Sequence, residues 1–200
     1  MSKRRMFSTA IVLLIAVLIG VNAYFIKLYY DTKSFYEEKI FRKELSDLAL
    51  GLRIAAEGIS SIWYGGEELV VDKEKEAETY SYILVNIYYS RTILSITRGP
   101  MVSKDNELYN VLLKTYNLRS SLEEFLGKLY NELIANHSQI LRYIIENKDC
   151  FKELSNELRD ITVMYMKYLN RDSIDLNELS TSIDNAQKIV DDLYNRLRIE

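Results

Sequence analysis

The chain of 200 residues is predicted to be all-α, an N-terminal transmembrane helix continuing into an antiparallel, up-and-down bundle of four to five long helices. Three observations predict this. Phe7 to Ile26 is an almost unbroken apolar run directly behind the basic residues Lys3, Arg4 and Arg5. Downstream, apolar residues recur in alternating steps of three and four, which places them on one stripe of a helix. One proline and seven glycines leave few points at which such helices can break.

The first element is the anchor. As a helix, twenty residues rise about 30 Å, the thickness of a bilayer's hydrocarbon core. Phe7, Ile11, Leu14, Val17 and Ile26 mark the face given to lipid, and Ser8, Thr9 and Asn22 are the clearly polar residues within the run. Tyr24, Phe25, Tyr29 and Tyr30 follow, with Lys27 among them. Aromatic rings and a snorkelling lysine suit the lipid–water interface. Lys3, Arg4 and Arg5 precede the span, so the positive-inside rule keeps the N-terminus in the cytoplasm and sends the rest across. The expected organisation is a basic cytoplasmic tail over 1–6, a signal anchor over 7–30 and an extracytoplasmic bundle over 31–200. The small residues of Val21-Asn22-Ala23 admit an alternative, a cleaved signal peptide and a secreted protein. Arg4-Arg5 before the run also has the look of a twin-arginine export signal. All three readings export residues 31–200.

The bundle helices follow in order. Phe41, Leu45, Leu48, Leu52, Ala55, Ile59 and Ile62 keep one phase, so the first helix is expected to leave the membrane unbroken and end near Trp63-Tyr64. Measured from Asp31, that arm reaches about 50 Å. Gly65-Gly66 then reads as a turn, placing Trp63 and Tyr64 at the membrane-distal tip, either as a helix-end cap with the tryptophan folded over the bundle or as candidate partner anchors. Gly51, Ala55 and Gly58 share one side of this helix. Because an interior glycine costs about 1 kcal/mol relative to alanine, they call for a closely approaching neighbour or a groove.

A second helix is expected over 72–98, with Tyr80, Ile83, Ile87 and Leu94 inward. After Gly99-Pro100, Ser103 is the expected N-cap of a third helix whose stripe is Leu108, Val111, Thr115, Leu118, Leu122, Phe125, Leu129 and Leu133. Asn136-His137-Ser138 bends or breaks it before Ile140 and Ile144. A fourth helix carries Phe151, Leu154, Leu158, Ile161, Tyr165 and Tyr168. A fifth opens on the capping pair Asp175 and Glu178 and continues through Leu179, Ile183, Ala186, Val190, Leu193 and Leu197. The last two pieces are expected to form roughly one long leg. Leu69-Val70-Val71 is too short a strand signal to build a sheet.

Composition narrows the function. Four of the 26 basic residues and none of the 29 acidic ones lie in residues 1–30, leaving 22 against 29, a net −7, for the exported part. Such a surface does not suit nucleic acid, whose binding rests on phosphate neutralisation. Cys150 is the single cysteine, so no intramolecular disulfide exists, and a thiol of this kind serves as a small apolar filler. His137 is the single histidine, so a histidine-rich metal site is not expected, and position 134 is Ile, so the Glu-x-x-His di-iron motif is missing. No phosphate-binding glycine loop or serine nucleophile elbow occurs. Adjacent carboxylates such as Glu123-Glu124 and Asp191-Asp192 point about 100° apart on a helix and form no acid–base pair.

No cofactor is expected. Asn136-His137-Ser138 is a sequon, which makes Asn136 a candidate glycosylation acceptor or, from its place near the apolar stripe, a buried polar residue. The expectation is a non-enzymatic interaction or scaffold protein, single-pass in the cell membrane, with lipid and either a protein partner or a second copy as its contacts. A ligand-binding or sensing module acting through a partner membrane protein is the alternative. A subunit of a surface filament or secretion system is a second.

Overall fold

The computed structural model describes residues 3–71, 76–97, 99 and 106–197, with side chains from Val17 to Glu68 and from Glu76 onward within those ranges. Among the described residues there are six helices and no strand: α1 (Lys3–Val71), α2 (Glu76–Ile96), α3 (Asn106–Ala135), α4 (His137–Glu146), α5 (Lys148–Leu169) and α6 (Leu176–Arg196). Leu69-Val70-Val71 is helical backbone at the end of α1. Pro100 and the expected cap Ser103 lie outside the described residues, and α3 is described from Asn106. The chain divides into two compact units, residues 1–40 and 41–200.

The first unit consists of α1 alone, and every described side chain from Val17 to Ile40 is exposed. Its aromatic residues pair along their own helix. Tyr24 meets Phe25 edge-on at 6.0 Å and Tyr29 meets Tyr30 at 5.7 Å. Asn22 turns its amide back on the helix, donating to the Leu18 carbonyl at 2.9 Å, which leaves one polar group fewer for the surroundings to satisfy. Among the described residues no helix is long and apolar enough to cross a membrane. The expected span, Phe7 to Ile26, falls only in part within them: Lys3, Arg4, Arg5, Phe7, Ile11 and Leu14 lie outside the residues with described side chains.

The second unit is a helical bundle. Its directions follow from which residues meet. On α1, Arg42 donates to the Leu169 carbonyl (2.8 Å) and Ser60 bonds Ser155 (2.7 Å), so α1 and α5 run oppositely. Gly51 faces Thr97 and Gly65 faces Thr79 and Ile83, so α1 and α2 also run oppositely. Arg119 bonds the Leu94 carbonyl while Tyr80 reaches Leu133, which makes α2 and α3 antiparallel. Glu157 meets Asn185 and Asn147 meets Arg196, which does the same for α5 and α6. Lys114 with Asp184 and Glu124 with Tyr194 make α3 and α6 parallel, as an odd number of alternating long legs requires. The stripes read from the sequence form one core: Leu48, Leu52, Ile59, Ile83, Ile87, Leu118, Leu122, Phe125, Leu158 and Leu193 are all fully buried.

Two local readings are corrected. Gly65-Gly66 is not a turn: α1 runs through both to Val71, and no glycine has positive φ among the described residues. The pair serves packing instead. A Cβ on Gly65 would stand 2.6 Å from Ile83 Cδ1, and one on Gly66 would stand 3.2 Å from Ile144 Cγ2. Second, α5 and α6 are not one leg. α5 ends where Arg171 takes φ 67°, with Arg171 N–H donating to the Tyr168 carbonyl (3.0 Å) and Asp172 N–H to that of Lys167 (3.1 Å). These 5→2 and 6→1 bonds form a left-handed C-cap that reverses the chain. Asp175 then caps α6, its Oδ1 accepting from Asn177 N–H and Glu178 N–H at 2.8 and 3.2 Å. At Asn136-His137-Ser138, where a bend or break was expected, the helix breaks: α3 ends at Ala135 and α4 begins at His137.

Several polar groups inside the bundle are joined to one another. Ser155 bridges Ser60 and the Ala56 carbonyl (3.0 Å), and Arg159 reaches Ser60 at 2.7 Å. Tyr143 donates to the Leu193 carbonyl (2.7 Å), tying α4 to α6, and Tyr165 shares a short bond with Thr115. Burial pushes the phenols of Tyr143 and Tyr165 well above the usual range. Tyr116 is pushed up to about 12, first by burial and then by the Glu44 carboxylate, with Arg119 opposing.

Candidate functional site

From Thr79 to Ser90 the second helix carries no charged residue, and its apolar residues occur on both sides. One side is accounted for, since Ile83, Ile87 and Leu94 are buried. The other is not. Tyr82, Val85, Tyr89 and Ile96 are 53, 64, 55 and 67 % exposed. Steps of three, four and seven residues align them on one stripe, about 20 Å long at 1.5 Å per residue. A helix apolar on all sides belongs in an interior, but α2 keeps one face outside the bundle.

Fixed groups flank the stripe. On the α1 side, Ser61 meets the Tyr82 hydroxyl at 3.4 Å, and Gly58 and Gly65 let the two backbones come close. On the α3 side, Tyr88 packs its ring 5.8 Å from that of Tyr130, and Arg91 lies over Gly127, where a Cβ would stand 3.0 Å from Nε. The face is therefore carried by a helix locked on both sides. Tyrosines held this way lose little conformational freedom on binding, one reason they anchor interfaces. The opposite faces of the bundle differ, with pairs such as Lys114–Asp184 (2.6 Å) and Arg142–Glu146 (2.7 Å).

A groove of about 530 Å³ lies between α2, α3 and α6, lined by Arg91, Glu123, Glu124, Lys128, Asn131 and Tyr194 among others. Its size is within the range of small-molecule sites, but those are concave and mostly apolar. This one is open, and its charges are engaged: Lys128 sits 4.6 Å over the Tyr194 ring, and the Tyr194 hydroxyl donates to Glu124 at 2.9 Å. It is a weaker candidate than the α2 face.

The residues singled out in the sequence are scattered. Trp63 is half-buried under Lys152, whose Nζ lies 4.7 Å from the ring, and its buried Nε1 has no partner among the described residues. Tyr64 beside it is exposed. α1 continues past both residues to Val71. His137 puts its ring edge-on to Tyr80 at 4.3 Å, with Nδ1 3.8 Å from Glu76. Cys150 is half-buried, 3.9 Å from Arg196. Gly51 faces Thr97, just past α2, and Gly58 faces Ser90 of α2 in direct contact. Among the described residues no three His, Cys, Asp or Glu side chains gather where they could hold a metal ion.

The outer face of α2 was missed in the sequence reading, although a signal for it existed. Twelve uncharged residues in a helix with a single inward stripe leave apolar side chains that the bundle itself has no place for. No protein-family model, no curated protein and no solved structure matches this chain.

Proposed function

We propose that this protein is a single-pass, membrane-anchored, extracytoplasmic helical bundle with a non-enzymatic interaction role, and that the outer face of α2 is where its partner docks. The observation that carries the reading is the uncharged stripe of Tyr82, Val85, Tyr89 and Ile96 on a helix whose opposite side is packed into the bundle. The occupant that fits is a protein surface that is itself apolar and uncharged. No ion pair on the stripe rewards a charged partner, and a charge placed against it loses water without compensation. The anchor rests on the apolar run behind Lys3, Arg4 and Arg5 and on the aromatic girdle of Tyr24, Phe25, Tyr29 and Tyr30.

A photo-crosslinking side chain at Tyr89, in the full chain in its own membranes, is expected to give one discrete adduct. The same group at Asp192 on α6 is expected to give none. An adduct of twice the chain's mass identifies a second copy as the occupant. Equal labelling at both positions, or none at either, removes the docking face. Protease added to sealed cells tests placement separately, the expected result being digestion of residues 41–200.

A further inference from the structure

We infer that Asn136 is the acceptor of an N-linked glycan, an inference that rests on the extracytoplasmic placement proposed above. The chain has thirteen asparagines, and Asn136-His137-Ser138 is the only triplet with serine or threonine two positions on. One such triplet is what this composition alone would supply, so the motif by itself decides nothing. Its place in the fold does. Asn136 stands between α3 and α4, outside both helices, with φ −132° and ψ 49°. Asn110, Asn117, Asn131, Asn156, Asn185 and Asn195 all lie inside helices. A glycosyltransferase that grips an acceptor in a bent segment would have to unwind those helices, whereas the α3–α4 break already presents a bend.

Exposure and hydrogen bonding agree. Asn136 and Ser138 are both exposed, which closes the alternative of a buried polar asparagine. Although Asn136 occupies the N-cap position of α4, its side chain makes no capping bond. Its one bond is from Nδ2 to Glu132 Oε2 at 2.8 Å, at the surface. The amide is thus not used to hold the fold. Modification removes one of its two protons, and the other remains for Glu132. His137, by contrast, is held by Tyr80 and Glu76, which steadies the break beside its neighbour.

The co-reactant is a glycan carried on a membrane lipid through a phosphate ester at its anomeric carbon. Nδ2 forms a bond to that carbon as the carbon–oxygen bond to phosphate breaks. The lipid phosphate leaves with the bonding electron pair, and the amide gives up one proton. No oxidant or reductant enters. The glycan then stands beside His137, whose ring meets Tyr80 and Glu76 of α2.

The test uses the full chain purified from its native membranes, with intact mass and peptide mapping. Wild type is expected to yield the peptide containing Asn136 with a mass increment of sugar units, removable by a glycan-releasing amidase. Asn136→Gln and Ser138→Ala are each expected to abolish the increment. Ser138→Ala is the more telling variant, since it leaves Asn136 and its bond to Glu132 untouched. An unmodified peptide from a chain whose residues 41–200 are digested on sealed cells overturns the glycan and leaves the membrane placement standing. Protection of those residues overturns both. Persistence of the increment in Ser138→Ala also overturns the inference.

Discussion

Gly58 and Gly127 pose one question in two settings: what happens when a methyl group is added inside a packed helix. In either helix alanine gains about 1 kcal/mol of intrinsic propensity over glycine. At Gly58 the new Cβ would overlap Ser90 Oγ and stand 2.9 Å from Ser90 Cβ and 3.2 Å from the Asn86 carbonyl oxygen. Two of those neighbours are fixed to the α2 backbone, so α1 and α2 must part. Overpacking of this kind costs about 1–3 kcal/mol. Losing the Ser90–Ile54 hydrogen bond (3.2 Å) adds about 1 kcal/mol more. The net expectation is a loss of about 2 kcal/mol, which lowers the melting temperature by about 4–8 °C for a chain of this size.

At Gly127 the nearest atoms belong to the guanidinium end of Arg91, 3.0 Å to Nε, which can swing aside. Gly127→Ala is therefore expected to raise the midpoint by a few tenths of a kcal/mol to about 1 kcal/mol. Thermal and urea unfolding of the full chain in detergent, followed by helical circular dichroism, reads both. Adding Ser90→Ala to Gly58→Ala is expected to recover part of the loss, since the Oγ overlap goes and the backbone contact stays. The reasoning is refuted if the two single variants move the midpoint in the same direction by similar amounts.

Arg171 adopts a left-handed conformation that favours glycine, and its side chain is exposed. Arg171→Gly is expected to stabilise by about 0.5–1 kcal/mol, visible as a higher urea midpoint. Leu118 is fully buried at the centre of α3, and Leu118→Ala is expected to cost about 3 kcal/mol in the same assay. The phenols of Tyr116, Tyr143 and Tyr165 have raised pKa values in the folded chain, so their contribution is complete below pH about 10 and is lost as pH rises through their folded values. Unfolding is thus expected to become easier from pH 10 to about 12, with fewer phenolates in the folded than in the unfolded chain by ultraviolet absorbance. Equal phenolate counts at pH 11 would contradict it.

Much of this fold was legible in the chain because helical periodicity is local. The stripes Leu108–Leu133 and Leu179–Leu197 specify their buried faces without reference to any partner, and the structure buries them. The cap at Asp175 was readable for the same reason, since a side chain accepting from backbone two and three residues on involves no distant group. The absence of charge from Thr79 to Ser90 was equally visible, but exposure of its outer half depends on how many neighbours α2 acquires.

What the sequence by itself determined is a helical class, the faces those helices bury, and an N-terminal run apolar enough to suggest an anchor. Tertiary structure alone decided what Gly65-Gly66 means. Gly65-Gly66 has the composition of a turn, yet α1 runs through it, because Ile83, Thr79 and Ile144 pack where side chains would otherwise stand. Tertiary structure also set α5 back against α6 and brought Asn136 to the surface. Each of these outcomes depends on residues dozens of positions away, and short-range spacing cannot encode what lies across a gap between helices.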